Sequence, residues 1–210
     1  PSRGVDQPHL VRHAVGRCGE PIGHHRRPLV GVQPGQLDDI EGLALAQKDG
    51  KTIIFATTSM MNKISKKQGQ FVAPPSALLR ITVQPDGSLA TEVIPDIRQW
   101  FTANVPDIGG STVLEPDEGG LNIEGLGFDP NTNTLMLGVR TPVIKGQAVV
   151  VPVRINDLAG PWDASNLSVQ PLIHLAIEAA RDEQGIRDLS YDPVKKGFLE
   201  KQGLNAQIQL

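Results

Sequence analysis

Two carboxylates stand where the apolar pattern leaves no place for them. Glu41 lies between Ile40 and Gly42 in "LDDIEGLALAQKDGKTIIFATTS", and Glu124 lies between Ile123 and Gly125 in "GGLNIEGLGFDPNTNTLMLGVRTP". Each acid opens a run that otherwise reads as a buried strand. "QGIRDLSYDPVKKGFLE" repeats the frame with altered charge, since Arg187 takes the place of the acid and Asp188 that of the glycine. Carboxylates that share one space repel, so they need a cation, an arginine or a shared proton. Two chemistries answer that need. In one, Arg140 and Arg187 are internal counter-charges, and the charged side chains form a structural salt-bridge ring. In the other, Glu41 and Glu124, with Asn122 and Asp39 adding oxygen ligands, hold a hard divalent cation, calcium by preference. The cation would polarise a substrate oxygen, and Arg140 and Arg187 would bind an anionic substrate group.

The elements that must position these residues are strands. Gly (22 residues) and Pro (17 residues) are frequent enough to favour a turn-rich β fold over a helical bundle. Apolar runs of five to nine residues alternate with the turn signals "QKDGK", "QPDGS", "DPNTNT" and "DPVKKG". The pattern predicts strands near 39–46, 51–58, 76–84 and 88–95, a second set near 122–129, 133–140, 147–155 and 167–175, and a third beginning near 186–192 and 196–200. "DIRQWFTANV" (96–105) and "LAIEAARDE" (175–183) read as short helices.

The acid-opened stretches then align as strand, tight turn, strand. Their starts at Ile40, Ile123 and Ile186 are 83 and 63 residues apart. Four antiparallel strands repeated as a unit describe a propeller blade of roughly 40–50 residues, lengthened here by insertions at 59–75 and 96–121. The expected fold is therefore all-β, a partial β-propeller with two four-stranded blades and a partial third. Closing the ring would take further blades or another copy of the chain. In such a ring the innermost strands flank a central channel, and Glu41, Glu124, Arg140 and Arg187 would meet at its mouth.

At this point the sequence resembles a known family. "LNIEGLGFDPNTNTLMLGVRTPVIKGQAVVVPVRI", with "DDIEGLALAQKDGKTIIFATTS" before it and "GIRDLSYDP" after it, looks like the bacterial propeller family called domain of unknown function 3616. The resemblance covers about residues 37–199, and the family's name assigns no activity. The strand-opening E-G-L is also similar to a motif of esterase-like phytase propellers and to the E-G-P of gluconolactonase-type propellers, whose glutamate is a metal ligand. That likeness implies a metal role for Glu41 and Glu124 alone, and Leu43 and Leu126 stand here where the lactonase motif has proline. By family analogy the protein is bacterial, and periplasmic or extracellular before cytoplasmic.

Domain organisation follows. Residues 1–36 read as an irregular N-terminal arm, 37–199 as the partial propeller and 200–210 as an irregular tail. The arm holds His9, His13, His24, His25 and Cys18, whose spacing fits no common zinc module. His174, in "PLIHLAI", reads as a core or interface histidine. The basic loop "NKISKKQ" (62–68) reads as solvated, and Lys145 as a turn residue near Arg140. A net charge of −3 gives no electrostatic case for nucleic acid. No apolar run approaches the ~20 residues that span a bilayer. G-x-S-x-G, Walker and G-x-G-x-x-G motifs do not occur.

Two functions are consistent with this reading. One is a metal-assisted hydrolase of phosphate or carboxylic esters with its site at the channel. The other is a non-catalytic binding propeller that takes a small-molecule, glycan or protein ligand and keeps the channel charges as structure.

Overall fold

Two hairpins set the frame of the molecule, and both are closed by short turns that the sequence spells out. In a computed structural model of the protein, residues 32, 37–64, 69, 71–115, 118–176, 185–202 and 204–209 are described, with residues 71, 200–202 and 204–209 described by backbone alone. The first hairpin pairs β1 (Ile40–Lys48) with β2 (Lys51–Thr58). Its turn residues Asp49 and Gly50 both have positive φ, 50° and 73°. That is the backbone of a type I′ turn, which matches the twist of the paired strands. The minor pair β3 (Lys63–Ile64) and β4 (Phe71–Val72) follows. Next come β5 (Ala77–Val83) and β6 (Leu89–Pro95), which complete an antiparallel sheet in the order β1-β2-β5-β6.

The segment 96–121 crosses to the second sheet through helix α1 (Ile97–Asn104), the single turn α2 (Pro106–Gly109) and a 3-10 turn at Gly110–Val113. Ile97 and Phe101, four residues apart on one helix face, are buried and anchor it to the core. The second sheet runs β7 (Asn122–Asp129), β8 (Thr134–Ile144), β9 (Gln147–Ile155) and β10 (Leu167–Val169), all antiparallel, with β11 (Ile173–Ala176) also paired to β9. A third sheet contains β12 (Leu189–Asp192), β13 (Gly197–Gln202) and β14 (Leu204–Gln209). The chain is thus all-β with antiparallel pairing throughout its described ladders. No sheet among the described residues closes on itself.

Alternation along each strand decides how the sheets pack. Ala44, Ala46, Ile53, Phe55 and Leu78 of the first sheet meet Leu126, Phe128, Leu135, Leu137 and Val151 of the second in one large core. Phe55 lies 5.2 Å from Phe128 and 5.6 Å from Trp162, ring centre to ring centre. Burying a side chain of that size stabilises by roughly 1.5–3 kcal/mol. The opposite face of the second sheet, with Met136, Ala148 and Val150, packs on Ile186, Leu189 and Phe198 of the third. The second sheet is therefore covered on both faces, and the first strands of the three sheets are neighbours, β1 against β7 and β7 against β12.

Several expectations need correction. The strand expected at 167–175 is two, β10 and β11, because Pro171 between them has no N–H to give the ladder. The helix expected at 175–183 is strand through Ala176, and its remainder lies outside the described residues. The tail expected to be irregular from residue 200 continues β13 and forms β14. Leu204, Ala206 and Ile208 alternate with polar residues there, a period-2 signal that the sequence does carry. Apart from Val32, the arm 1–36, with its four histidines and Cys18, lies outside the described residues, as do residues 65–68 of the basic loop.

Candidate functional site

Both glutamates are bulge residues. The β1–β2 register shifts between Ile40 and Gly42, and the β7–β8 register shifts between Ile123 and Gly125. In each ladder the residue passed over is the glutamate. A bulge leaves one residue without a cross-strand mate and re-aims its side chain, which is how a carboxylate stands at the start of β7, buried along the rest of its length, and of β1, buried on one face only. The glycines that follow serve a close approach. A Cβ on Gly42 would lie 2.5 Å from the Leu126 Cβ, and one on Gly125 would lie 3.1 Å from Ile186 and 3.2 Å from Leu189. Each glycine thus admits a side chain of the next sheet.

The approach brings the two repeats' charges together. Glu124, half-buried, forms an ion pair with Arg140 of β8, and the Asn122 side-chain amide donates to the same carboxylate oxygen at 3.2 Å. Asn122 is buried, and its Oδ1 has no hydrogen-bond partner among the described residues. Glu41 is close enough to feel this pair. Its pKa is raised from the ordinary 4.5, first by loss of solvation, then by the charges of Asp39 and Glu124 and a hydrogen bond with Asp39, with Arg140 opposing the rise. The first and second repeats therefore do share one electrostatic site, formed by Asp39, Glu41, Asn122, Glu124 and Arg140.

Register shows which residue of the first repeat corresponds to Arg140. Gly42 pairs with Thr57 and Gly125 with Gly138, so Arg140 matches Ser59, one residue beyond the Thr58 that spacing along the sequence suggests. Ser59 does different work. Its N–H donates to the Asp39 carbonyl (2.9 Å), and its Oγ donates to Asp39 Oδ2 (3.0 Å). Its own carbonyl accepts from Ile123 N–H (2.8 Å), which ties the sheets together. The second and third repeats have a similar tie, Ile186 N–H to the Val139 carbonyl (2.9 Å).

Sequence reasoning missed Ser59 and Lys63. The Lys63 ammonium donates to Asp38 at 2.9 Å and stands 3.5 Å from Asp39. The Asp38 hydrogen bond is the leading cause of its raised pKa. A lysine at the edge of an insertion carries no local signal for this role, because the contact depends on how β3 folds back over the start of β1.

Arg187 precedes β12, is exposed, and makes no ion pair among the described residues. His174 is exposed on β11, not a core histidine, because β11 presents alternate residues to solvent. Lys145 is an exposed hairpin-turn residue with φ 51°. Among the described residues no group of three or more His, Cys, Asp or Glu is arranged to hold a metal ion. Arg140 already occupies the Glu124 carboxylate, so these side chains as placed do not form a calcium ligand set. No described helix is long and apolar enough to cross a membrane.

A second polar cluster lies at the other end of the first two sheets. Arg80, buried, pairs with Glu92 through two hydrogen bonds of 2.7 and 2.8 Å and donates a third to the Leu158 carbonyl (3.0 Å). Its guanidinium lies 5.1 Å from the Trp162 ring centre, close enough for cation–π attraction. Every guanidinium nitrogen has a partner, so the cluster reads as a clamp between sheets.

No curated protein and no solved structure matches the chain. The match that is found is narrower than the 37–199 span of the resemblance, and it includes Glu124, Arg140 and Arg187 but not Glu41. Residues 104–194 match the family model described as "Protein of unknown function (DUF3616)".

Proposed function

We propose that the three sheets are successive blades of a β-propeller and that the chain is a non-catalytic binding module whose channel-side charges hold adjacent blades in register. The observation that carries this reading is the state of Glu124. Arg140 and Asn122 both bind its carboxylate, so the group best placed to receive a cation is already neutralised from within. Bulged strand starts, small residues opposite large ones, and a repeated backbone tie from sheet to sheet support the blade assignment. The metal-assisted hydrolase reading requires Glu124 to give up Arg140 before it can hold calcium.

Calcium titration by calorimetry, beside a panel of phosphate and carboxylic esters, separates the two. The expected result is no stoichiometric calcium binding, no hydrolysis, and a lower melting temperature for Glu124→Gln. Removing one partner of a partly buried ion pair costs about 1–2 kcal/mol, about 2–8 °C at this chain length. Calcium binding at one site per chain that is lost in Glu124→Gln, together with ester turnover, would overturn the proposal.

A further inference from the structure

The repeat allows equivalent residues to be compared for exposure. Ile123 and Ile186 are each 0% exposed, whereas Ile40, in the same place on the first sheet, is 44% exposed. Leu126 and Leu189 are 1% and 2% exposed, and their equivalent Leu43 is 41% exposed. Two residues further along the same face, Leu45 is 50% exposed where Phe128 is 3% exposed. In the second and third repeats these side chains are covered by the sheet before, through the space left by Gly42 and Gly125. The strip on β1 therefore has the chemistry of a seat that this chain fills twice internally. No described residue fills the third. Val32 and Leu37 lie farther out on that face, with Ala56, Ala77, Leu79 and Ile81.

The third sheet offers the complementary side. Asp188 and Ser190 occupy the positions of Gly42 and Ala44 in the first repeat and of Gly125 and Gly127 in the second, and both are exposed. Short side chains thus stand on the face that receives the next sheet. Charge points the same way. At the start of the first sheet Asp38, Asp39, Glu41 and Glu124 are balanced by Lys63 and Arg140 alone among the described residues, while Arg187 is exposed and makes no described ion pair.

We infer that a second copy of this chain docks its third sheet on the first sheet of its neighbour, seating Ile40, Leu43 and Leu45 against Asp188 and Ser190 and placing Arg187 beside Asp39 and Glu41. This rests on the blade reading. The contact is heterologous, and two of them related by a twofold axis close a ring rather than growing a fibre. Asp188 is wider than glycine, so the junction between copies is looser than those within a chain.

The test uses two single-cysteine chains, Leu43→Cys and Ser190→Cys, each with Cys18→Ser. Mild oxidation of the mixture is expected to give a crosslinked dimer that neither chain gives alone. Sedimentation of the unmodified chain is expected to show a monomer–dimer equilibrium. Leu43→Asp abolishes it, Arg187→Glu weakens it without altering the apolar strip, and Asp188→Gly tightens it about tenfold. A monomer mass throughout a dilution series overturns the inference, whether the strip is covered by other parts of the chain or left open. A Leu43→Cys disulfide formed without the partner chain overturns it in favour of back-to-back first sheets. The melting loss of Glu124→Gln reads contacts inside one chain, so a chain that keeps that loss but does not crosslink retains the binding-module proposal and loses this one.

Discussion

The first and second sheets open on the same four letters and the same bulge, yet their glutamates differ in state. On the second sheet the residue that follows Val139 of the partner strand is Arg140, and Glu124 is locked in an ion pair. On the first sheet the matching residue is Ser59, which serves Asp39, and Glu41 is left with two like charges and a raised pKa. The bulge aims a carboxylate. The residue across the ladder decides whether that carboxylate pairs with a cation or stands beside like charges. The bulges also differ in tightness, since the approach at Gly42 is closer than that at Gly125.

The tightness predicts the largest effect. Gly42→Ala puts a methyl group 2.5 Å from the Leu126 Cβ, an atom fixed to its own backbone, so β1 and β7 must separate. Overpacking of that kind costs about 2–3 kcal/mol, visible as a drop of about 4–12 °C in melting temperature. Gly125→Ala meets the tips of Ile186 and Leu189 at 3.1 and 3.2 Å, and these can move by a few tenths of an ångström. It is expected to cost less, about 1 kcal/mol. Equal losses from the two substitutions, measured by thermal melting, would show that both bulges are packed alike and that the contrast in approach has no energetic meaning.

Arg140→Gln comes next. It leaves Glu124, half-buried and bulged out of the ladder, with Asn122 as its remaining described partner. The expected loss is about 1–2 kcal/mol at neutral pH. In Arg140→Gln, Glu41 also loses the cation that opposes the rise of its pKa, so its carboxyl titrates higher than in the parent. A carbon-detected NMR titration of the Glu41 carboxyl that shows no upward movement would separate the bulges electrostatically and undo the shared site.

Much of the frame was legible because its signals are local. β2, β7 and β9 have the bounds that alternation and the "KDG" and "DPNTNT" turns set. Asp129 holds its turn by accepting from the Asn131 backbone N–H at 2.9 Å, and Asp192 holds the next by accepting from Val194 at 2.9 Å, which is why the two D-P turns read alike in sequence. Glu41 and Glu124 were legible as anomalies, polar residues in apolar runs. Their cause was not, since a bulge appears only when both strands are paired. Ser59 and Lys63 were hidden for a related reason. Ser59 gains its role from register and Lys63 from the fold-back of β3, and neither leaves a periodic trace. The Arg80 clamp was likewise silent, because its partners Leu158 and Trp162 lie 78 and 82 positions away along the chain.

The smallest expected effect is the most specific to the first bulge. Glu41 binds its proton more tightly in the folded chain than its ordinary pKa of 4.5 would give. The sign follows from linkage. The folded state gains stability from this group below pH 4.5, where the carboxyl is protonated in both states, and loses that gain as pH rises through the raised value. Above it, the ionised Glu41 stands against Asp39 and Glu124 and opposes folding. Glu41→Gln removes the charge without changing shape, so at concentrations where the chain is monomeric it should melt at a slightly higher temperature than the parent near pH 7 and at the same temperature below pH 4.5. Because Glu41 is exposed, solvent screening keeps the gain to a few tenths of a kcal/mol at most, and added salt should reduce it. Glu124→Gln should do the reverse near pH 7, melting below the parent because it removes the carboxylate that Arg140 and Asn122 bind. Opposite signs at neutral pH from the same substitution at equivalent bulges would show that the residue across the ladder, Arg140 or Ser59, sets the role of each acid. A Glu41→Gln chain that melts below the parent at neutral pH would mean that Glu41 too has found a stabilising partner, and the contrast between the bulges would then rest on packing alone.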